Sequence, residues 1–362
     1  MTRRKLLFLA TLIIVLGYLF FFSPTVGKDI VFNPIWYRDF SNTPSGLQIE
    51  ITQAEKLQQQ KKVFAFKSGN LFGYITKEGE PLYVDRSFFQ TAISDTKFVN
   101  TSNIPMNLVV RDYVGNIDFS VDIAGYPVLE ENRLIVFSPM RNRISEYDDN
   151  GNRLWSREYI APATCVEYSS EYILLGFLNG VISLLDREGK ELFQFAPTGS
   201  SASRVVYGCT MDPDAENLIL ITGLEPQRII LLEKKDNTYK PVFTEILESS
   251  FRRTVNMHYS PQQQAVYFEG ADGISILSLK SRTITKITAE GRFTSLVESP
   301  LLGLTFINME TEKGSRIHVY RTRTGTGVMS FAFPRNTNTR IIENSLFFGF
   351  DEQLLRLDIQ HR

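Results

Sequence analysis

The alternation of apolar and polar residues is the strongest regularity in this chain of 362 residues. Residues 179–195 read NGVISLLDREGKELFQF, and residues 143–159 read RISEYDDNGNRLWSREY. Each stretch has an alternating run, a tight polar turn with Gly, and a second alternating run that carries an aromatic residue. A period of two is typical of β-strands whose faces differ, so each stretch predicts an antiparallel hairpin.

Similar hairpins recur along the chain at nearly regular intervals. They occupy residues 71–85, 107–122, 228–243, 274–287 and 316–333. The seven turns fall near Gly79, Gly115, Gly151, Gly189, Asn237, Ser281 and Gly325, at spacings of 36 to 48 residues. Gly and Asn tolerate the positive φ that tight turns need. A repeat of this length with about four strands per unit predicts an all-β fold, a β-propeller of four-stranded blades.

Two further apolar runs precede most hairpins and predict the first two strands of each blade. In the clearest unit these runs are ATCVEYSS, from Ala163, and YILLGFLN, from Tyr172. In the first unit, LQIEIT at 47–52 is the predicted first strand. The only clear helical pattern after it, TQAEKLQQQKK at 52–62, is polar enough to be a linker helix or a loop.

The last unit of the repeat is incomplete. TRIIENS, SLFFGFDE and LLRLDIQ supply three strands, and the sequence stops at Arg362 where a turn and a fourth strand are expected. The apolar and aromatic segment DIVFNPIWYRDF at 29–40 is the predicted fourth strand, so that both ends of the chain share one blade. This arrangement favours eight blades. Seven is the alternative, because the irregular first unit could merge with the last.

Two of the units carry a family resemblance. GVISLLDREGKELFQF and RISEYDDNGNRLWSRE resemble the repeat of the PQQ-like and WD-type propellers, in which a strand ending in Asp, a Gly turn and a strand with Trp follow one another. The resemblance implies the propeller fold and a structural, interblade position for Trp155. The family includes quinone-dependent dehydrogenases, and also noncatalytic scaffolds such as the propeller lipoprotein of the outer-membrane β-barrel assembly machine.

The N-terminus has the pattern of a targeting segment. Arg3, Arg4 and Lys5 precede residues 6–22, which contain no charge. We expect residues 1–28 to form a cytoplasmic basic tip and an uncleaved transmembrane signal-anchor, and residues 29–362 to form an extracytoplasmic, periplasmic propeller. The alternative is secretion after cleavage near Thr25-Val26-Gly27.

Composition and motifs argue against several classes of chemistry. The 39 basic and 40 acidic residues leave a formal charge of -1, so we expect no nucleic-acid partner. His258, His318 and His361 fall in different units, and no hydrolase, zinc or phosphate-binding motif is present. The acidic stretches 148–152 and 212–217 have the residues that turns require and lack the spacing of a calcium loop. We therefore predict no catalytic, cofactor-binding or metal-binding residues and no cofactor.

Cys165 and Cys209 lie 44 residues apart, about one repeat, and each falls in the first strand of its unit. They could face each other across neighbouring blades. An exported protein can hold such a pair as a disulfide, and buried cysteines also occur as small apolar residues. The sequence leaves both alternatives open.

These inferences converge on a membrane-anchored, noncatalytic scaffold that binds protein partners of unknown identity, with envelope assembly as one setting. The alternative is a small-ligand sensor or an enzyme that uses the central funnel. Buried carboxylates and histidines at the funnel mouth would favour the alternative. A wide apolar patch on one face or rim would favour the scaffold.

Overall fold

A computed structural model describes residues 29–48, 63–103, 105–130, 133–198, 203–236, 238–335 and 337–361. These residues form eight antiparallel sheets of four strands each. The predicted eight-bladed propeller is confirmed, and the seven predicted hairpins each correspond to two consecutive strands of one blade.

The blades follow one another in chain order around the ring. The N-terminal strands are β1 (Ile30–Asp39) and β2 (Leu47–Gln48). Blades 1 and 2 contain β3 (Val63–Ser68), β4 (Leu71–Thr76), β5 (Pro81–Arg86), β6 (Gln90–Ile93), β7 (Lys97–Thr101), β8 (Leu108–Asp112) and β9 (Ile117–Val121). Blades 3 and 4 contain β10 (Tyr126–Glu130), β11 (Arg133–Phe137), β12 (Arg143–Tyr147), β13 (Arg153–Glu158), β14 (Ala163–Tyr168), β15 (Tyr172–Phe177), β16 (Ile182–Asp186) and β17 (Glu191–Phe195).

Blades 5 and 6 contain β18 (Ser203–Met211), β19 (Asn217–Leu224), β20 (Arg228–Lys235), β21 (Thr238–Ile246), β22 (Met257–Ser260), β23 (Ala265–Gly270), β24 (Gly273–Ser278) and β25 (Thr283–Thr288). Blades 7 and 8 contain β26 (Arg292–Ser299), β27 (Leu304–Thr311), β28 (Gly314–Arg321), β29 (Gly327–Phe333), β30 (Thr337–Ile342), β31 (Ser345–Phe350) and β32 (Gln353–His361).

The propeller has two ends with different loops, because strands alternate in direction within each blade. In blades 2 to 7 the first strand lies innermost and the fourth lies at the rim. Connections between blades and the loops between second and third strands therefore share one end, named here the crossover end. The turns between first and second strands and between third and fourth strands share the other end, named here the turn end. Backbone bonds such as Leu247 N to Gln227 O at 2.9 Å join loops at the crossover end.

The predicted joining of the two chain ends is confirmed. Strand β1 is the rim strand of blade 8 and pairs with β32 from Ile30 opposite His361 to Asp39 opposite Gln353. A register shift lies between Pro34 and Trp36. The position of Pro34 fits an outermost strand, because proline has no N–H to donate and such a strand pairs on only one side.

The prediction for the first unit is wrong for Leu47–Gln48, the part of the predicted strand that the structure describes. Leu47–Gln48 pair with Val84 and Tyr83 on the outer side of β5, so this segment lies at the rim of blade 1 and not at its inner edge. Residues 49–52 and the helix or loop candidate at 52–62 lie outside the described residues. Among the described residues, β3 is the innermost strand of blade 1.

An aromatic residue on the fourth strand packs against the turn glycine of the next blade. Trp155 lies so close to Gly189 that an added Cβ would be 2.3 Å from the indole, and Gly189 has a φ of 75°. Equivalent pairs are Trp36 with Gly79, Tyr83 with Gly115 and Phe119 with Gly151. The interblade position implied for Trp155 is confirmed. In blades 2 to 4 this glycine lies between the third and fourth strands, and in blade 1 the equivalent Gly79 lies between β4 and β5. Strands β3, β4 and β5 are therefore the second, third and fourth strands of blade 1.

Candidate interaction surface and central channel

Large apolar side chains are exposed on one end of the propeller. Six of them, with exposed fractions of 52% to 101%, lie in loops of the crossover end around blades 1 to 4. This set, named here the apolar surface, is Phe88, Phe89, Met106, Met140, Ile160 and Leu178. Together the six side chains expose on the order of several hundred Å² of apolar area, which is the size at which patches on soluble proteins mark interaction sites.

The loops that carry the apolar surface are held together by backbone hydrogen bonds. Tyr159 N donates to Asn142 O at 2.7 Å, and Ala163 N donates to Arg141 O at 2.9 Å. Leu178 N donates to Pro162 O at 3.0 Å. These bonds place the loops of Met140, Ile160 and Leu178 side by side. These three apolar side chains are therefore presented from a fixed frame.

The rest of the exposed surface differs from this region. At the turn end, Leu301 is the one exposed large apolar residue in a loop among the described residues. The crossover end of blades 5 to 7 carries ion pairs instead, including Arg253 with Glu269 and Lys286 with Glu248. Seven other exposed apolar side chains lie on rim strands, such as Leu154 and Leu192.

A cavity of about 830 Å³ opens in the central channel beside β3. Its walls come from β3, β30 and the turn after β6, and it reaches the ends of inner strands across the channel. The backbone groups of β3 that face the cavity bond to side chains. Ala65 N donates to Asp95 at 3.0 Å, Arg340 donates to Ala65 O at 3.2 Å, and Asn338 donates to Lys67 O at 3.1 Å. Side chains thus cap the inner edge of β3. In the other blades, the corresponding edge of the second strand pairs with the first strand.

The strands nearest the channel also carry ionisable groups whose pKa values are shifted. Burial, together with the neighbouring charge of Glu130, raises the pKa of Glu167 to about 8. Burial lowers the pKa of Lys67, whose Nζ donates to Thr91 O at 2.5 Å. Glu130 and Glu167 lie on the neighbouring inner strands β10 and β14. The carboxyl of Glu167 therefore titrates closer to neutral pH than an exposed carboxyl does.

The acidic stretches act in turns, as the sequence predicted. Asp148 Oδ1 accepts hydrogen bonds from Asn150 N at 2.9 Å and Asn152 N at 2.8 Å, and these bonds lower the pKa of Asp148. Asp212 accepts equivalent bonds from Asn217 N and Nδ2 at 3.0 and 2.7 Å. Within the described ranges, no cluster of His, Cys, Asp and Glu has the arrangement of a metal site.

The histidines are kept apart by the fold. His258, His318 and His361 lie in blades 6, 7 and 8. Burial lowers the pKa of His258 and of His318, and Arg316 lowers that of His318 further. The structure does not bring these residues into one site.

Cys165 and Cys209 face each other across blades 4 and 5, within one apolar cluster. Both are free, buried thiols, so the disulfide alternative is not what the structure shows. Burial raises the pKa of Cys209, and a hydrogen bond with Cys165 raises it further. The two cysteines serve as small core residues.

Eight four-stranded sheets in a ring, with one blade shared by the two ends of the chain, define a β-propeller. The family described as "beta-propeller protein" matches residues 1–362, and the chain belongs to that family. An uncharacterized protein of Treponema pallidum (strain Nichols) is 24% identical over 345 residues, which cover 95% of this chain and 91% of that protein.

Solved structures share the fold at low identity. BamB from Moraxella catarrhalis has a TM-score of 0.58 at 13% identity, over 91% of this chain and all (100%) of that chain. The Dos1 propeller has a TM-score of 0.61 at 13% identity, over 90% of this chain and 95% of that chain. The computationally designed protein Ika8 has a TM-score of 0.59 at 11% identity, over 81% and 94% of the two chains.

No helix in the described part of the chain is long and apolar enough to cross a bilayer. The predicted anchor at residues 6–22 lies outside the described residues.

Proposed function

We propose that this protein is a membrane-anchored, extracytoplasmic propeller that serves as a noncatalytic scaffold for protein partners. The observation that carries the proposal is the apolar surface, because six large side chains exposed on one end would be costly to leave in water. Interfaces between proteins place apolar and aromatic side chains at their centre. The BamB structure agrees with the proposal in fold.

The anchor is part of this proposal. Arg3, Arg4 and Lys5 stay in the cytoplasm, residues 6–22 cross the membrane, and residues 29–362 lie on the far, periplasmic side. An uncleaved anchor keeps the N-terminal residues in the mature chain and holds the protein in membranes through an alkaline wash. A soluble chain that begins near Lys28 would contradict the anchor.

Substitution within the apolar surface tests the scaffold. Phe89→Asp, Ile160→Asp and Leu178→Asp each place a charge in the proposed interface, and Leu301→Asp places the same charge on an exposed residue of the opposite end. The full chain is crosslinked in native membranes. We expect each of the first three variants to capture at least ~10-fold less partner than the parent, because substitution of hot-spot residues has effects of this size. The Leu301 variant should retain the partner. Equal capture by all four variants, with unchanged melting temperatures, would contradict the proposal.

The channel supports a second candidate, a site for a small ligand. The cavity of about 830 Å³, whose lining includes the carboxyl-bearing residues Asp95 and Glu130, is the observation that favours it. Such a site has the volume and the mixture of apolar and polar walls that ligand pockets show. Native mass spectrometry of the full chain extracted from membranes would detect a bound small molecule. Glu130→Gln would release that molecule if the carboxyl in the cavity wall holds it.

A further inference from the structure

We infer that the apolar surface faces away from the membrane and binds a protein partner located beyond the propeller. This inference rests on the proposed anchor and adds the orientation and the kind of partner. The apolar surface alone does not distinguish a lipid surface from a protein. The position at which the chain enters the propeller decides between them.

The chain enters at the turn end. Strand β1 is the rim strand of blade 8, and rim strands begin at the turn end and finish at the crossover end. Ile30, its first residue, pairs with His361. The apolar surface lies in loops at the opposite end. The tether to residues 6–22 therefore joins the end that lacks the apolar surface.

The length of the tether restricts the alternatives. Seven residues separate Phe22 from Ile30, and such a segment spans at most roughly 25 Å when fully extended. Strand β1 has ten residues and is therefore roughly 33 Å long. If the crossover end rested on the bilayer, the tether would have to run back along the blade to Ile30, a path comparable to or longer than its full reach. With the turn end toward the bilayer, no such extension is needed.

The partner is therefore a protein that presents aliphatic or aromatic side chains to the apolar surface from the side distal to the membrane. The loops that carry Met140, Ile160 and Leu178 are fixed by hydrogen bonds from Ala163 N to Arg141 O and from Leu178 N to Pro162 O. A preformed surface of this kind favours docking with little ordering cost. The ion pairs of blades 5 to 7, such as Lys286 with Glu248, limit the apolar contact to one half of the end.

Energy transfer in vesicles measures this orientation. The full chain, in a background with Cys165→Ser and Cys209→Ser, is reconstituted with an acceptor dye on the lipid headgroups. Donors are placed at Leu178→Cys and Glu188→Cys, two exposed positions in blade 4 at the crossover and turn ends. We expect at least ~2-fold more transfer from position 188, because the strands of blade 4 have five or six residues and separate the two positions by roughly 20 Å. Equal or greater transfer from position 178 overturns the inference.

The same samples separate the two possible failures. Loss of the chain from vesicles in an alkaline wash overturns the proposed anchor, and the orientation with it. Retention of the chain with equal or reversed transfer leaves the anchor intact and rejects the orientation alone. Crosslinking from position 178 to a protein in native membranes supports the inference when Ile160→Asp abolishes it. Crosslinking from that position to lipid rejects the inference.

Discussion

The indole of Trp155 lies over Gly189 of the following blade and donates from Nε1 to the carbonyl oxygen of Arg187 at 3.1 Å. Trp36 repeats this relationship with Gly79 and Lys77 O, also at 3.1 Å. The contact explains why the repeat contains both a turn glycine and an aromatic. In blades 1 to 4 the turn provides a space that only glycine leaves open, and an aromatic side chain of the preceding blade fills it.

We expect Gly189→Ala to lower the free energy of unfolding by ~2–4 kcal/mol, because the new Cβ would overlap the indole and the residue has positive φ. Gly325→Ala is the matched control, with a φ of 66° and no atom within 4 Å of the added Cβ. Gly325→Ala should lower the free energy of unfolding by about 1 kcal/mol, because only the backbone conformation opposes the new side chain. Denaturant unfolding measures both. Equal losses would show that the contact with Trp155 adds nothing.

Trp36→Ala tests the joining of the chain ends. The indole packs near Phe347, with ring centroids 5.9 Å apart, and bonds to Lys77 O in the next blade. We expect a loss of ~2–4 kcal/mol in the free energy of unfolding. Tyr37→Ala, on the adjacent residue with 49% of its surface exposed, should stay within ~1 kcal/mol of the parent. A Trp36 variant that unfolds like the Tyr37 variant would mean that β1 adds little to blade 8.

Arg133 and Glu146 form a buried ion pair within blade 3. Arg133 donates to both carboxylate oxygens, at 2.9 and 2.8 Å, and Trp155 Nε1 donates to Glu146 at 3.0 Å. Glu146→Gln leaves a buried guanidinium without its counter-charge, so we expect a loss of ~3–5 kcal/mol in thermal or denaturant unfolding. Glu248→Gln breaks the exposed pair with Lys286 and should cost less than ~1 kcal/mol. Similar losses for both would contradict the assignment of Glu146 as the buried partner.

Glu167 makes stability depend on pH. Its pKa rises from 4.5 to about 8 in the folded protein. Between these values the folded state keeps a proton that the unfolded state has released, so the free energy of unfolding falls as pH rises through this window. Glu167→Gln should remove this slope. At alkaline pH the free energy of unfolding of this variant should exceed that of the parent by ~2–4 kcal/mol. Glu171→Gln, whose side chain is 61% exposed, should keep the parental slope. A parental slope in the Glu167 variant would refute the assignment.

The sequence predicts the blades well because their determinants are local. The turns at Gly151 and Gly189 and the alternating runs beside them contain enough information to place each hairpin. Strand β1 is predictable for a different reason: the last unit lacks one strand, and residues 29–40 match that need. The position of Leu47–Gln48 is not predictable in this way. Alternation identifies a strand but does not say which sheet edge accepts it.

The apolar surface and the channel carboxylates depend on topology. A single apolar residue in a loop, such as Ile160 or Leu178, gives no periodic signal in the sequence. Only the closure of the blades into a ring brings such loops together on one end of the propeller. The signal available in the sequence was the presence of large apolar residues, including the pair Phe88 and Phe89, in segments that otherwise predict exposed loops. Glu130 and Glu167 lie about one repeat apart, which could have indicated neighbouring positions on adjacent inner strands.

The pairing of β1 with β32 also determines how the propeller carries a mechanical load. In the proposed orientation a pull from the tether would enter at Ile30, and the rest of the propeller, held by a partner on blades 1 to 4, would resist it. The force then runs along β1, across hydrogen bonds that lie perpendicular to it. The paired residues from Ile30 to Asp39 share this force in shear, whereas a pull from the side would open them one at a time. The blade that closes the ring is thus arranged to resist tension directed along β1.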